Sequence, residues 1–168
     1  MRRLGIFGVL VLSAACSGTS QLASTTTTGV LTPNAVVLYV SDGDTIGVTI
    51  DGVEERVRLI GIDTPETKKP DTPVECFGPE ASAFTESLLP DGTELYLERD
   101  IEARDPYGRL LAYVYRTSDG MFVNLEIIAQ GFALPLTIAP NSAHADEFVT
   151  AARAADAAGT GLWAACTG

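Results

Sequence analysis

One short stretch limits what this chain can fold into. Thr45 to Ile50 alternates with Ile46, Val48 and Ile50 on one side, Asp51-Gly52 follows, and a second strand-forming run extends from Glu54 to Ile62. Asp-Gly between two such runs is the turn of a two-residue hairpin, so the segments are predicted to pair antiparallel. The pairing carries a chemical consequence. Asp42-Gly43-Asp44-Thr45 stands at the head of the first run and Asp63-Thr64-Pro65-Glu66 at the tail of the second. Because the turn falls near their midpoint, the hairpin brings Asp44 and Asp63 to the same end.

Three more segments read as strands: the apolar run Ala35 to Val40, Glu94 to Arg99, and Arg109 to Arg116 with its Leu, Tyr and Val. Helical spacing of apolar residues predicts helices over Pro79 to Leu89, Val123 to Gln130 and Ala143 to Ala158, the last two stopped by Gly131 and Gly159. Three strands, a helix, two strands and two helices suggest an α+β chain built as a small antiparallel barrel with helices packed on it. Element order alone leaves an open α+β sheet as the alternative.

Carboxylates crowded at one hairpin end repel unless a cation binds or one takes a proton. Asp44, Asp63 and Glu66 offer oxygen ligands without His or Cys, which suits a hard cation and Ca²⁺ in particular. Taken singly, Asp-Gly-Asp is also an ordinary turn and Asp-Thr-Pro-Glu a capped loop. The arginines bear on that choice. With Val57 and Leu59 facing one way, Arg56 and Arg58 face the other, which sets Arg58 beside the strand end carrying Asp63. Arg109 opens the last predicted strand after Asp105-Pro106-Tyr107-Gly108. Two guanidiniums near a bound cation form a clamp for a phosphodiester, although each has acids enough nearby to pair with instead.

The chain ends constrain location. Met1-Arg2-Arg3, the apolar run Leu4 to Leu12 and Ser13-Ala14-Ala15 read as a signal peptide over residues 1–15, too short to span a bilayer. Cys16 directly after these small residues is a degenerate match to a lipoprotein site, so export is expected, either as a cell-surface lipoprotein that reaches the membrane only through a lipid on Cys16 or, after simple cleavage, as a secreted protein. Residues 16–34 are Ser- and Thr-rich and read as a flexible tether, leaving 35–168 as the single domain. Cys76 and Cys166 then form an even pair in an oxidising compartment and are expected to bridge; with the lone His144 they fall short of a zinc site. His144 itself reads as a solvated helix-face residue, and Trp163 as a core anchor for the tail. The formal net charge of −11, more negative still without Arg2 and Arg3, excludes a protein that grips nucleic acid by a broad basic surface.

In order and spacing, DGDT, RLIGIDTPE, GPEASAF, DPYGRLLAYVY, VNLEIIAQGFA and the late GLW resemble the staphylococcal nuclease (thermonuclease) family from about Val36 to Trp163. The resemblance implies an OB-type five-stranded antiparallel barrel with three helices. It implies a monomeric Ca²⁺-dependent nuclease that hydrolyses DNA and RNA and leaves 3′-phosphates. Within it, Asp44, Asp63 and the main-chain carbonyl of Thr64 match the metal ligands. Glu66 matches the general base or water-orienting acid, Arg58 and Arg109 the phosphate-binding pair, and Tyr107 a tyrosine near the nucleotide phosphate. The chain departs from the family at Asp71, at Pro106 and along Leu134 to Ala139, where lysines and tyrosines are missing, so weak grip on long nucleic acid is expected. A nuclease-like binding module without turnover is the alternative in another class; its usual mark, loss of Asp44, Glu66 or an arginine, is absent here.

Overall fold

The computed structural model describes residues 31–68 and 73–166. The expected signal peptide, Cys16, the tether up to residue 30, and Lys69 and Asp71 lie outside the described residues. Five strands form the body: β1 (Ala35–Asp42), β2 (Thr45–Ile50), β3 (Val53–Leu59), β5 (Glu94–Glu98) and β6 (Leu110–Arg116). They run in the order β3-β2-β1-β5-β6, and β3 pairs again with β6, so the sheet closes into an OB-type barrel. The closing seam is parallel, with Val57, Arg58 and Leu59 beside Leu110, Leu111 and Ala112. Strand directions cannot alternate all the way round an odd ring, so one junction must be parallel. The other four are antiparallel, as expected.

Val37, Ile46, Val48, Val57, Leu59, Leu95 and Val114 fill the interior. The predicted hairpin has the register Thr45 to Arg58 through Ile50 to Val53. Two register shifts occur along β1, between Val37 and Tyr39 and between Val40 and Asp42. The apolar run did not announce them, because an inserted residue changes which face is buried without changing composition. The long third run also divides: β3 stops at Leu59, and β4 (Gly61–Asp63) leaves to pair with β8 (Leu134–Leu136), a segment without strand periodicity.

Helices α1 (Gly78–Leu88), α2 (Val123–Ala129) and α3 (Ala145–Ala158) fall where expected, with β7 (Met121–Phe122) leading into α2 and a single turn, α4 (Leu162–Ala165), after α3. Trp163 packs against the core as read. His144 does not sit on a solvated face: its ring packs edge-on against Tyr113 and Phe122, at 4.5 and 4.9 Å between centroids. The cause is its place before α3, where the chain turns onto the aromatic cluster. Cys76 and Cys166 form a disulfide.

Two polar residues hold the loops. Asn124, fully buried at the start of α2, accepts from the Val114 amide at 2.9 Å and donates to the Ile60 carbonyl at 2.9 Å. Asp100, after β5, accepts from the Ala143 amide at 3.0 Å, the Tyr113 hydroxyl at 3.1 Å and the Ile101 amide at 2.9 Å. These bonds, the Ala143 amide foremost, outweigh burial and hold its carboxyl below the usual carboxylate range.

Asn124→Leu strands both buried backbone groups and is expected to lower unfolding free energy in urea by about 2–4 kcal/mol; a change under about 0.5 kcal/mol would show that neither bond matters. Because the folded pKa of Asp100 is depressed, its contribution is complete above the ordinary value of 3.8 and fades as pH falls through the folded value. Acid titration by circular dichroism is therefore expected to show a shallower stability loss below that pH in Asp100→Asn than in the unaltered chain.

Candidate active site

The hairpin end expected to collect carboxylates opens into a cleft of about 550 Å³, lined by Asp42, Asp44, Arg56, Arg58, Asp63, Thr64, Glu66, Lys68, Glu75, Tyr107 and Arg109 among others. Asp44 and Asp63 face each other through Arg58. One terminal nitrogen of Arg58, Nη2, lies 3.0 Å from Asp44 Oδ2 and 3.1 Å from Asp63 Oδ1. The other, Nη1, donates to the Leu59 and Ile62 carbonyls at 2.6 and 2.9 Å. Asp44, buried, also accepts from the Thr64 amide at 3.1 Å and the Thr45 hydroxyl at 3.1 Å, which ties the Asp63-Thr64 turn to the head of β2. A Cβ at residue 43 would meet Thr64 Oγ1 at 2.7 Å, so the glycine of Asp-Gly-Asp is what lets the two turns touch.

Arg109 is set from its own turn. Asp105 accepts from Arg109 Nε at 2.6 Å and from its amide at 2.9 Å, and from the Tyr107 amide at 3.0 Å. Among the described residues, the outer nitrogens of Arg109 have one long hydrogen-bond contact, 3.4 Å from Nη1 to the Thr45 hydroxyl. Tyr107 is 85% exposed, and the Arg109 guanidinium carbon lies 5.7 Å from its ring centre. Both arginines thus reach the cleft and both also pair with acids, so the two readings of their role meet in one arrangement.

Glu66 is fixed by the amides of Thr67 and Lys68, which donate to Oε1 at 2.9 and 2.7 Å. Its main chain is clasped by Glu75: the Glu66 amide donates to Glu75 Oε2, and the Glu75 amide to the Glu66 carbonyl, each at 3.0 Å. Glu75 precedes the disulfide half Cys76, so the bridge to Cys166 anchors the loop that carries Glu66. Sequence reasoning passed over Glu75, Asp105 and Asp42. Asp42, the first residue of Asp-Gly-Asp, accepts from the Gly43 amide, the Thr67 hydroxyl and the Ser82 hydroxyl at 2.8–2.9 Å. Burial works to raise its carboxyl, but the Ser82 hydroxyl, the Gly43 amide and the Thr67 hydroxyl that donate to it help to hold it below the usual carboxylate range. Ser82 and Thr85, three apart on α1, hold that turn, Thr85 by donating to the Gly43 carbonyl at 2.7 Å. Their spacing inside GPEASAFTE was the legible signal.

Among the described residues no three His, Cys, Asp or Glu side chains form a ready metal cage. The donor chemistry nevertheless fits a hard cation. Asp44, Asp63 and the Thr64 carbonyl are oxygen donors, and the buried Thr64 hydroxyl oxygen beside them has no hydrogen-bond partner. Burial raises the Asp63 carboxyl; Arg58 lowers it, and the charges of Asp44 and Glu75 raise it again, leaving it above the usual range, the condition a bound cation relieves.

A closed barrel with a helix-buttressed cleft of carboxylates facing two arginines defines an OB-fold protein built to hold anionic and cationic groups side by side. The model for staphylococcal nuclease homologues matches residues 56–165, which take in Arg58, Asp63, Thr64, Glu66 and Arg109, with Asp44 just before the matched stretch. The chain belongs to the staphylococcal nuclease family. It is 40% identical over 127 residues to "Thermonuclease" of Staphylococcus hyicus, covering 76% of this chain and 73% of that protein. It is 49% identical over 106 residues to "Thermonuclease" of Staphylococcus intermedius, 63% of this chain and 61% of that one. With "Endonuclease YncB" of Bacillus subtilis (strain 168) it shares 43% over 109 residues, 64% of this chain and half of that protein. The chain thus spans less than two thirds of the length of some of these relatives.

Arg58→Met removes the group joining Asp44, Asp63 and two carbonyls. It is expected to reduce stability by about 3–5 kcal/mol, as breaking a buried pair does. Urea unfolding measures this; a loss under about 1 kcal/mol would mean that water replaces the guanidinium freely.

Proposed function

We propose that this chain is a Ca²⁺-dependent nuclease that hydrolyses phosphodiester bonds of DNA or RNA and leaves 3′-phosphates. The carrying observation is that Asp44, Asp63, Glu66, Arg58 and Arg109 line one cleft. Relatives named thermonuclease and endonuclease support the class of reaction. The intact set of carboxylates and arginines favours turnover over a silent binding module.

In this reading Asp44, Asp63 and the Thr64 carbonyl hold Ca²⁺, which, when bound, supplies Lewis-acid polarisation of the phosphoryl oxygen. Glu66 takes the proton from, or orients, a water aimed at phosphorus; its two amide partners and the clasp by Glu75 mean that it need not reorganise. Arg109, steered by Asp105, offers its outer nitrogens to oxygens on which charge grows. Arg58 keeps Nη1 on two carbonyls while Nη2 exchanges a carboxylate for a phosphate oxygen. Tyr107 lies over the entrance beside Arg109. Residues 1–15 direct export, and Cys16 is the lipid attachment point; no described helix is long and apolar enough to cross a membrane.

Glu66→Gln is expected to lower turnover on denatured DNA about 10²-fold or more with an unchanged melting curve. Chelation should stop the unaltered protein until Ca²⁺ is restored. Full activity in chelator, or an undiminished Gln variant, would overturn the assignment.

A further inference from the structure

At the edge of the cleft, the outer face of the barrel carries a feature that the reaction above does not use. Tyr39 on β1 lies opposite Gly47 on β2, and Gly47 lies opposite Arg56 on β3. Cross-strand partners share a face, so Tyr39 and Arg56 flank a residue without a side chain. The register shift between Val37 and Tyr39 creates this row: Val37 is buried, and without the shift Tyr39, two residues on, would point inward with it.

The ring is held in place. A Cβ at residue 47 would come 2.3 Å from Tyr39 Cζ, so the hydroxyl end of the ring rests on bare backbone. The hydroxyl then reaches across β2 to donate to Glu54 Oε1 on β3 at 2.9 Å. An aromatic supported below and tied at its tip, yet 38% exposed, presents a pre-oriented surface at little further entropy cost.

Arg56 stands beside it. Arg104 is paired with Glu55, Arg109 with Asp105 and Arg116 with Asp119, whereas Arg56, exposed, makes no ion pair among the described residues. It lines the cleft wall with Arg58, two residues away on the same face of β3, a step of roughly 7 Å. That step is of the order separating successive phosphates in an extended single strand. An exposed ring with an unpaired guanidinium is the pairing by which proteins hold unpaired nucleotides, the base stacking and the phosphate meeting the charge.

We propose that Tyr39 and Arg56 form an accessory nucleotide subsite, which takes one base and its phosphate from single-stranded nucleic acid running out of the cleft along β3. This rests on the nucleic-acid reading of the cleft. A duplex keeps its bases stacked on one another and cannot give one to the ring, so the subsite makes the protein prefer single strands.

The test is fluorescence anisotropy with Ca²⁺ present, using the Glu66→Gln chain as parent and labelled oligothymidylates of ten and two nucleotides. Tyr39→Ala should weaken decamer binding roughly 5- to 100-fold, with Tyr39→Phe retaining most of the affinity. Arg56→Gln should reduce the log–log salt slope for the decamer by about 0.7. Both losses should be confined to the decamer. Thermal melts check the fold, and because Arg56 makes no ion pair among the described residues, its salt slope decides the matter should Tyr39→Ala unfold. Decamer affinity within about twofold of the parent for Tyr39→Ala with an unchanged slope for Arg56→Gln, or equal losses on the dinucleotide, would overturn the subsite. A parent that binds no decamer at all would instead overturn the nucleic-acid reading together with it.

Discussion

The barrel closes on a strand that breaks. β3 ends at Leu59 and the chain resumes as β4 at Gly61, and the backbone groups at such a break need partners or the closure fails. They are met from two sides. Inside, Asn124 receives the Ile60 carbonyl on its amide while the Ile60 amide donates to Ala112; outside, Arg58 takes the carbonyls of Leu59 and Ile62. Because the same Arg58 also holds Asp44 and Asp63, the interaction that closes the barrel also spaces the cleft. Stability and site geometry are coupled through one side chain.

Charge in this molecule is arranged locally. A chain with 22 acidic residues could repel any anionic ligand, yet Arg104, Arg109 and Arg116 each sit against a single carboxylate, with bidentate pairing at Arg104–Glu55 and Arg116–Asp119. Those pairs are exposed or half-buried and contribute little to stability. Their larger effect is to neutralise those guanidiniums locally, while Arg56, without an ion pair among the described residues, and the outer nitrogens of Arg109 lie at the cleft. Attraction is thereby short-ranged.

Much of this was legible in the sequence. The Asp51-Gly52 turn fixes the hairpin register, and with it the meeting of Asp44 and Asp63; Arg58 opposite the inward Val57 and Leu59 follows from the two-residue period. The parity of Cys76 and Cys166 pointed to the bridge. The misses share a cause. Tyr39 turns outward through an inserted residue, Leu134–Leu136 becomes a strand because β4 needs a partner, and Asn124 and Glu75 act on groups brought near by folding. A local period can report none of these, and His144 went astray for the same reason, since its aromatic neighbours come from β6 and β7.

The disulfide joins residues 90 apart, and so converts α1, β5 to β8 and α2 to α4 into a covalent ring, with β1 to β4 as an arm outside it. A protease that nicks the exposed Ile101 or Ile138 region cuts that ring once and releases nothing. Tyr107 and Arg109, inside the ring, stay attached to the arm bearing Asp44, Arg58, Asp63 and Glu66. Such a nicked molecule stays one covalent unit until reduced, whereas a cut between Glu66 and Cys76 leaves the two sets of cleft residues joined by noncovalent contacts alone, among them the strand pairings of β1 with β5, β3 with β6 and β4 with β8.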